Sequence, residues 1–175
     1  MLRAQRVDAV GPRPLKRDVR RRNTMRAVFI LALSAPCAFA QLAPNAPTDQ
    51  PQALDQRQLS ETERAIAPYV RTARDTYPAA RAKFLAGLPS GQTSFVVTRI
   101  TDPYGHFEEV FVRVRTIEDG AITGIISSQI ALVKGFTAGQ SYTFKEADLI
   151  DWVITKPDGS EEGNVVGKFL DTYKP

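Results

Sequence analysis

The chain has 175 residues and a formal net charge of +4, and its positive charge is concentrated at the N-terminal end. Residues 1–40 contain nine Lys and Arg against two Asp and Glu, which is a balance of +7. Subtracting that +7 from the whole-chain +4 leaves −3 for residues 41–175. Because a nucleic-acid-binding surface needs an excess of basic residues, we do not expect nucleic acid among the partners of residues 41–175.

A basic segment followed by a short apolar one predicts an export signal. Residues 20–26 include four arginines, and residues 27–39 carry no charged side chain. Ala38-Phe39-Ala40 then matches the A-x-A pattern that precedes signal-peptide cleavage. We therefore expect translation to start at Met25, with a longer leader that includes residues 1–24 as the alternative. We also expect cleavage after Ala40 and a periplasmic or secreted mature protein.

The apolar segment does not predict a membrane span or a lipid anchor. It has thirteen residues interrupted by Pro36, whereas a transmembrane helix needs about 20. Cys37 is the only cysteine, but Pro36 stands where a lipoprotein site has a small residue, which argues against lipid attachment. Cleavage after Ala40 would leave no cysteine, which excludes disulfides, a thiol nucleophile and cysteine-ligated metal from the mature chain.

A flexible tether and then one globular domain are predicted after the leader. Residues 41–58 contain three prolines among Gln, Asn, Ala and Asp, a composition that does not bury enough apolar area to become ordered. Residues 59–175 have a globular composition, and about 115 residues is a typical size for one domain. We expect this single domain to contain the whole folded part of the chain.

A helix is predicted at the start of the domain. Ser60 and Glu63 fit a capping box, and Gly87 marks the end of the helix. Apolar residues follow the capping box at helical spacing: Ile66, Val70, Ala73, Tyr77, Ala80 and Phe84. Pro68 and Pro78 each remove an amide donor, so we expect either one kinked helix or two shorter ones broken near Pro78.

From Thr93 onward the apolar residues alternate with polar ones, which predicts strands. The predicted strands cover residues 95–101, 109–115, 121–127, 142–144, 149–155 and 164–170, with turns rich in Gly, Pro and Asp between them. The expected fold class is α+β, with an N-terminal kinked helix packed on a curled antiparallel sheet or a partly open small barrel of about six strands.

Two segments near the C-terminus carry a family resemblance. They are residues 149–153, Leu-Ile-Asp-Trp-Val, and residues 163–169, Gly-Asn-Val-Val-Gly-Lys-Phe. They resemble the closing signature of a bacterial family of domains of unknown function, number 2314, the YegJ-like family, over roughly residues 62–172. The signature positions are Asp151, Trp152, Gly163, Asn164 and Gly167. The resemblance implies an α+β domain, with no established activity, cofactor or catalytic residue.

Few residues of the chain are candidates for catalysis. His106 is the only histidine and follows residues 102–105, Asp-Pro-Tyr-Gly, which predicts an exposed turn histidine rather than a general base oriented by Asp102 or Glu108. No cofactor and no metal site are predicted, since one histidine without cysteine offers no ligand spacing for zinc. Glu108, Asp148 and Asp151 could converge from different strands, as the carboxylate pair of a glycoside hydrolase does.

Binding is the function that the sequence favours. Arg64, Arg71, Arg74 and Arg81 form a band beside the apolar stripe of the predicted helix. The band is either a solvated flank or an anion-facing surface, and Arg71, Arg74 and Arg81 are the candidate contacts for a partner. Trp152 is expected to pack inward and Asp151 to face outward, with a groove-lining Trp152 as the alternative.

We therefore expect an exported, non-catalytic binding protein whose partner is an envelope protein or an acidic ligand. Two alternatives stay open on the sequence alone. One is an inhibitor or immunity-type protein that binds its target through a sheet face. The other is a small carboxylate-dependent hydrolase of envelope polymers.

Overall fold

The computed structural model describes residues 45–47 and 56–174 of the chain. The predicted leader at 1–40 and most of the predicted tether at 41–58 lie outside the described residues. The elements are α1 (Gln56–Ala86), β1 (Thr93–Thr101), β2 (Phe107–Glu118), β3 (Ala121–Ile126), β4 (Ser141–Lys145), a 3₁₀ turn (Glu146–Asp148), β5 (Asp151–Thr155), β6 (Glu161–Gly163) and α2 (Val165–Leu170). Among the helices of the described ranges, none combines the length and the hydropathy of a transmembrane segment.

Helix α1 is continuous over 31 residues, with Pro68 and Pro78 inside it. The alternative of two separate helices is therefore wrong. Each proline leaves the carbonyl four residues earlier without its amide donor. Those carbonyls belong to Arg64 and Arg74, which are exposed, so water can take the place of the missing donor.

The ends of α1 test the predicted boundaries. The helix ends at Ala86, immediately before Gly87, as predicted. It begins at Gln56, so Ser60 already lies inside the helix and the predicted capping box is wrong. Residues 56–58, which the sequence assigned to the tether, form the first turn of α1.

The six strands form one antiparallel sheet in the order β4-β3-β2-β1-β5-β6. Strand β1 lies between β2 and β5, with Phe95 opposite Arg113 on one side and Val97 opposite Asp151 on the other. The edge strands β4 and β6 do not pair with each other in the described part of the chain, so the sheet is open rather than closed into a barrel. The α+β prediction is confirmed, with the open sheet as its form.

The core lies between α1 and the sheet. Its buried residues include Ala73, Ala80, Val96, Ile100, Val110, Val112, Ile122, Phe144, Leu149, Trp152 and Ile154. The predicted helical stripe faces this core, because Ile66, Ala73 and Ala80 are buried. Burying a side chain the size of Ile66 contributes about 1.5–3 kcal/mol, so the stripe helps to hold α1 against the sheet.

The chain's last element differs from the prediction. Residues 157–159 do make a hairpin turn, closed by the Lys156 amide donating to the Ser160 carbonyl at 2.9 Å. The returning strand β6 is only three residues long, and the strand predicted at 164–170 is wrong because that segment is helix α2. Asn164 adopts the left-handed conformation, with φ 55° and ψ 47°, and so turns the chain from the strand into the helix.

Candidate functional site

Trp152 is the centre of a cluster that the signature residues form. Its side chain is 6% exposed and packs under α1, which confirms the predicted inward orientation. The indole Nε1 donates hydrogen bonds to the Ala73 carbonyl and to the Thr76 Oγ1, each at 3.1 Å. A buried indole N–H needs such an acceptor, so Trp152 fixes the position of β5 against the middle of α1.

Asp151 caps helix α2. Its Oδ1 accepts the amide hydrogen of Trp152 at 2.8 Å, and its Oδ2 accepts that of Val166 at 2.7 Å. The prediction that Asp151 faces outward is wrong, because the residue is 1% exposed. Asp151 lies on the strand face opposite to that of Trp152, as alternation requires. On that face its carboxylate accepts a hydrogen bond from α2. Burial raises the pKa of Asp151, although the amides of Trp152 and Val166 favour its charged form.

Three further residues complete the cluster, because each lies very close to another member of it: Gly163, Asn164 and Gly167. A Cβ on Gly163 would lie 2.4 Å from the Trp152 carbonyl oxygen, and a Cβ on Gly167 would lie 2.1 Å from the Asn164 Oδ1. The Asn164 amide donates to the Trp152 carbonyl at 2.7 Å. The signature residues therefore hold α2, β6 and α1 on β5, which is a structural role.

His106 lies in a turn that Asp102 organises. The buried Asp102 carboxylate accepts the amide hydrogens of Tyr104 at 2.9 Å, His106 at 3.0 Å and Lys134 at 3.3 Å. The exposed His106 ring places Nδ1 3.1 Å from the same carboxylate. The exposed turn histidine is thus confirmed, and its carboxylate partner joins the turn to the loop between β3 and β4.

The stability that Asp102 provides is expected to fall in acid. Burial raises the pKa of Asp102, but hydrogen bonds from His106, Lys134 and Tyr104 outweigh burial and lower the pKa to about 2. A carboxylate whose folded pKa is below its unfolded value of about 3.9 stabilises the fold above that pH and loses this contribution as the pH falls.

Asp102→Asn should therefore be less stable than the wild type at pH 7. The difference should shrink as the pH falls from about 4 to about 2, because the wild-type carboxylate becomes protonated in that range. Urea unfolding of both proteins across this range is the measurement. A difference that stays constant down to about pH 2 would contradict the assignment.

Glu108 and Asp151, two of the three candidate carboxylates, do not form a catalytic pair. Glu108 lies opposite Ile100 on β1, whereas Asp151 lies opposite Val97, three residues away. Successive residues of a strand face opposite sides, so Glu108 and Asp151 face opposite sides of the sheet. Glu108 is also engaged by the amides of Ala131, Leu132 and Val133, and these hydrogen bonds lower its pKa in spite of burial.

The arginine band of α1 divides into two parts. The Arg81 Nε forms an ion pair with the Glu146 Oε1 at 2.8 Å, and the Tyr77 hydroxyl donates to the same oxygen at 2.9 Å. Arg81 is thus engaged by the 3₁₀ turn. Arg74 donates through Nε to the Leu149 carbonyl at 2.7 Å, while Arg71 forms no ion pair with any described residue.

Arg71 and Arg74 line a groove of about 600 Å³ between the first half of α1 and the sheet, here called the α1–sheet groove. Its apolar wall consists of Ile66, Val70, Tyr142, Phe144 and Ile150. Asp148 also lines the groove. Burial raises the pKa of Tyr142, and the negative charge of Asp148 raises it further. The groove thus combines an apolar wall with charged groups at its rim.

One side of the α1–sheet groove is closed by a charge network. The Arg99 Nη2 lies 2.9 Å from the Glu63 Oε1 and 3.0 Å from the Glu109 Oε1. The Arg99 guanidinium also lies 3.9 Å from the centre of the Phe107 ring. Since these contacts neutralise Arg99, the cations left to meet a ligand are Arg71 and the outer nitrogens of Arg74.

Comparison with known proteins gives one relative. YegJ of Escherichia coli (strain K12), described as an uncharacterized protein, is 31% identical to this chain over 81 residues. These are 46% of this chain and 52% of YegJ, so the chain spans about half the length of the curated relative it matches. No family model matches the chain, and no solved structure matches it. The similarity supports a YegJ-like relationship and brings no activity with it.

Proposed function

We propose that the protein is an exported, non-catalytic binding protein whose α1–sheet groove takes a ligand with an apolar part and an anionic group. The observation that carries this proposal is the position of Arg71, a cation without an acidic partner in the described chain, beside the apolar wall of the groove. A guanidinium binds carboxylate or phosphate through two parallel hydrogen bonds, and the apolar wall gains from covering hydrocarbon.

The composition of the groove also supports binding over hydrolysis. Glu63 and Glu109, which line it, are paired with Arg99, and this leaves Asp148 as its acidic group without an ion pair among the described residues. The usual glycoside hydrolase mechanism needs two carboxyl groups on either side of the scissile bond. A ligand that is held but not cleaved fits this set of side chains better.

Export and family membership are parts of the same proposal. Residues 20–40 have the order of a secretory signal, so we infer a periplasmic or secreted protein. From the signature at Asp151, Trp152, Gly163, Asn164 and Gly167 we infer membership of the family of unknown function number 2314. The similarity to YegJ supports the coarser YegJ-like relationship. We also infer one domain that begins with α1 and is preceded by a tether.

Arg71→Glu is expected to weaken binding of decanoate, a probe with an alkyl chain and a carboxylate. The substitution removes a charge-assisted hydrogen bond of about 1.5–3 kcal/mol, so the affinity should fall at least about tenfold. Isothermal titration calorimetry with the purified protein is the measurement. Arg64→Glu is the matched control, because Arg64 is exposed on the same helix and does not line the groove.

Two results would count against the proposal. One is an equal loss of decanoate affinity in the Arg71 and Arg64 variants, since it would show that the loss comes from the change in net charge alone. The other is a folded wild type that does not bind decanoate at all.

A further inference from the structure

A second cleft, separate from the α1–sheet groove, lies where β1 begins beside the middle of β2. It has a volume of about 380 Å³ and is lined by the C-terminal end of α1, by the residues that open β1, and by Arg113 and Arg115. Two arginines and no Asp or Glu are among the described residues that line it. We call it the Arg113–Arg115 cleft.

The two arginines of this cleft have no acidic partner among the residues that the structure describes. In the described part of the chain, ion pairs engage Arg81 and Arg99 but neither Arg113 nor Arg115. The Nε of Arg113 is buried and has no hydrogen-bond partner in the described part of the chain. A buried donor without an acceptor costs about 1–3 kcal/mol, so its presence needs an explanation.

The charges of the cleft act against each other. Burial lowers the pKa of the Arg113 guanidinium, and the nearby positive charge of Arg115 lowers it further. Both effects disfavour the charged state that arginine keeps in proteins. An anion in the cleft would reverse the second effect, because its negative charge would favour the charged guanidinium.

We propose that the Arg113–Arg115 cleft binds an oxyanion of the phosphate class. Two guanidinium groups match a doubly charged anion, and each can donate two parallel hydrogen bonds to its oxygens. Gln92, Thr93 and Ser94 line the same cleft and offer amide and hydroxyl donors. The volume leaves space for a small substituent, so the anion is either free phosphate or a phosphate ester.

The test is a titration of the purified protein with inorganic phosphate, by calorimetry and by thermal unfolding, against NaCl at equal ionic strength. Phosphate should raise the melting temperature of the wild type by several degrees, because it binds only the folded state. Arg113→Gln should lose at least about tenfold in phosphate affinity. Arg64→Gln removes the same charge from α1, outside the cleft, and should bind phosphate like the wild type.

Several outcomes decide the proposal. Absence of phosphate binding up to about 10 mM in the folded wild type would overturn it, as would undiminished binding by Arg113→Gln. Arg115→Gln gives an independent variant in case Arg113→Gln does not fold. Glycerol 1-phosphate distinguishes the two sources of the anion: tighter binding than inorganic phosphate assigns the cleft to an ester, and weaker binding assigns it to the free ion. Neither result depends on the α1–sheet groove.

Discussion

Gly163→Ala is expected to lower the free energy of unfolding by at least about 3 kcal/mol. Gly163 has a φ of +82°, and a Cβ there would lie 2.4 Å from the Trp152 carbonyl oxygen and 2.7 Å from its indole ring. The backbone oxygen cannot move without breaking the hydrogen bond from the Asn164 amide, and the ring is fixed by its own hydrogen bonds to α1. Equilibrium urea unfolding measures the loss.

Gly159→Ala is the matched control for this prediction. Gly159 has a φ of +81°, almost the same as Gly163, but nothing lies within 4 Å of the position of an added Cβ. Its alanine variant should therefore show only the cost of the left-handed backbone, about 1–2 kcal/mol. Equal losses at Gly163 and Gly159 would show that the close approach to Trp152 has no energetic consequence.

Trp152→Ala is expected to lower the free energy of unfolding by about 3–5 kcal/mol, since it removes a large core side chain and leaves a cavity. Trp152→Phe keeps most of the apolar area and removes the indole N–H, which donates to the Ala73 carbonyl and the Thr76 hydroxyl. Its loss should be smaller, about 1–2 kcal/mol. The same urea measurement compares both variants.

Tyr104→Ala provides the surface reference for the Trp152 series. The Tyr104 side chain is 73% exposed and its ring contacts only the Lys134 ammonium, at 5.4 Å, and the His106 ring among the described residues, so its removal should change stability by no more than about 1 kcal/mol. If Trp152→Ala were tolerated as well as Tyr104→Ala, Trp152 would not be the centre of the cluster that holds β5 against α1. The structural role assigned to the signature would then be wrong.

Most of the fold could be predicted from local sequence patterns. The apolar stripe with helical spacing predicted α1, and alternation predicted β1, β2, β3, β4 and β5, because each of these elements buries at least one face against the core. The exceptions are the short strand β6 and helix α2, which stand where one strand was predicted at 164–170. Val165 and Val166 favour a strand by propensity, but the cap that starts the helix is the side chain of Asp151, which is 15 residues away from Val166 in sequence.

The candidate site could be predicted only in part. The arginine band on α1 was visible in the sequence, but the division between Arg71 in the groove and Arg81 in an ion pair was not. That division depends on Glu146, which is 65 residues away from Arg81. The groove itself combines residues of α1, β1 and β4, and no spacing within one element indicates such a surface. The same holds for the Arg113–Arg115 cleft.

The most direct test of ligand binding in the α1–sheet groove is a ¹H–¹⁵N NMR titration of the purified protein with decanoate. The proposal predicts saturable shifts of the amide signals of Val70, Arg71, Tyr142 and Ile150, which line the groove. It also predicts small shifts for Gly163 and Gly167 in the structural cluster. Saturable shifts centred on the cluster or on Arg113, or the absence of any saturable shift, would contradict it.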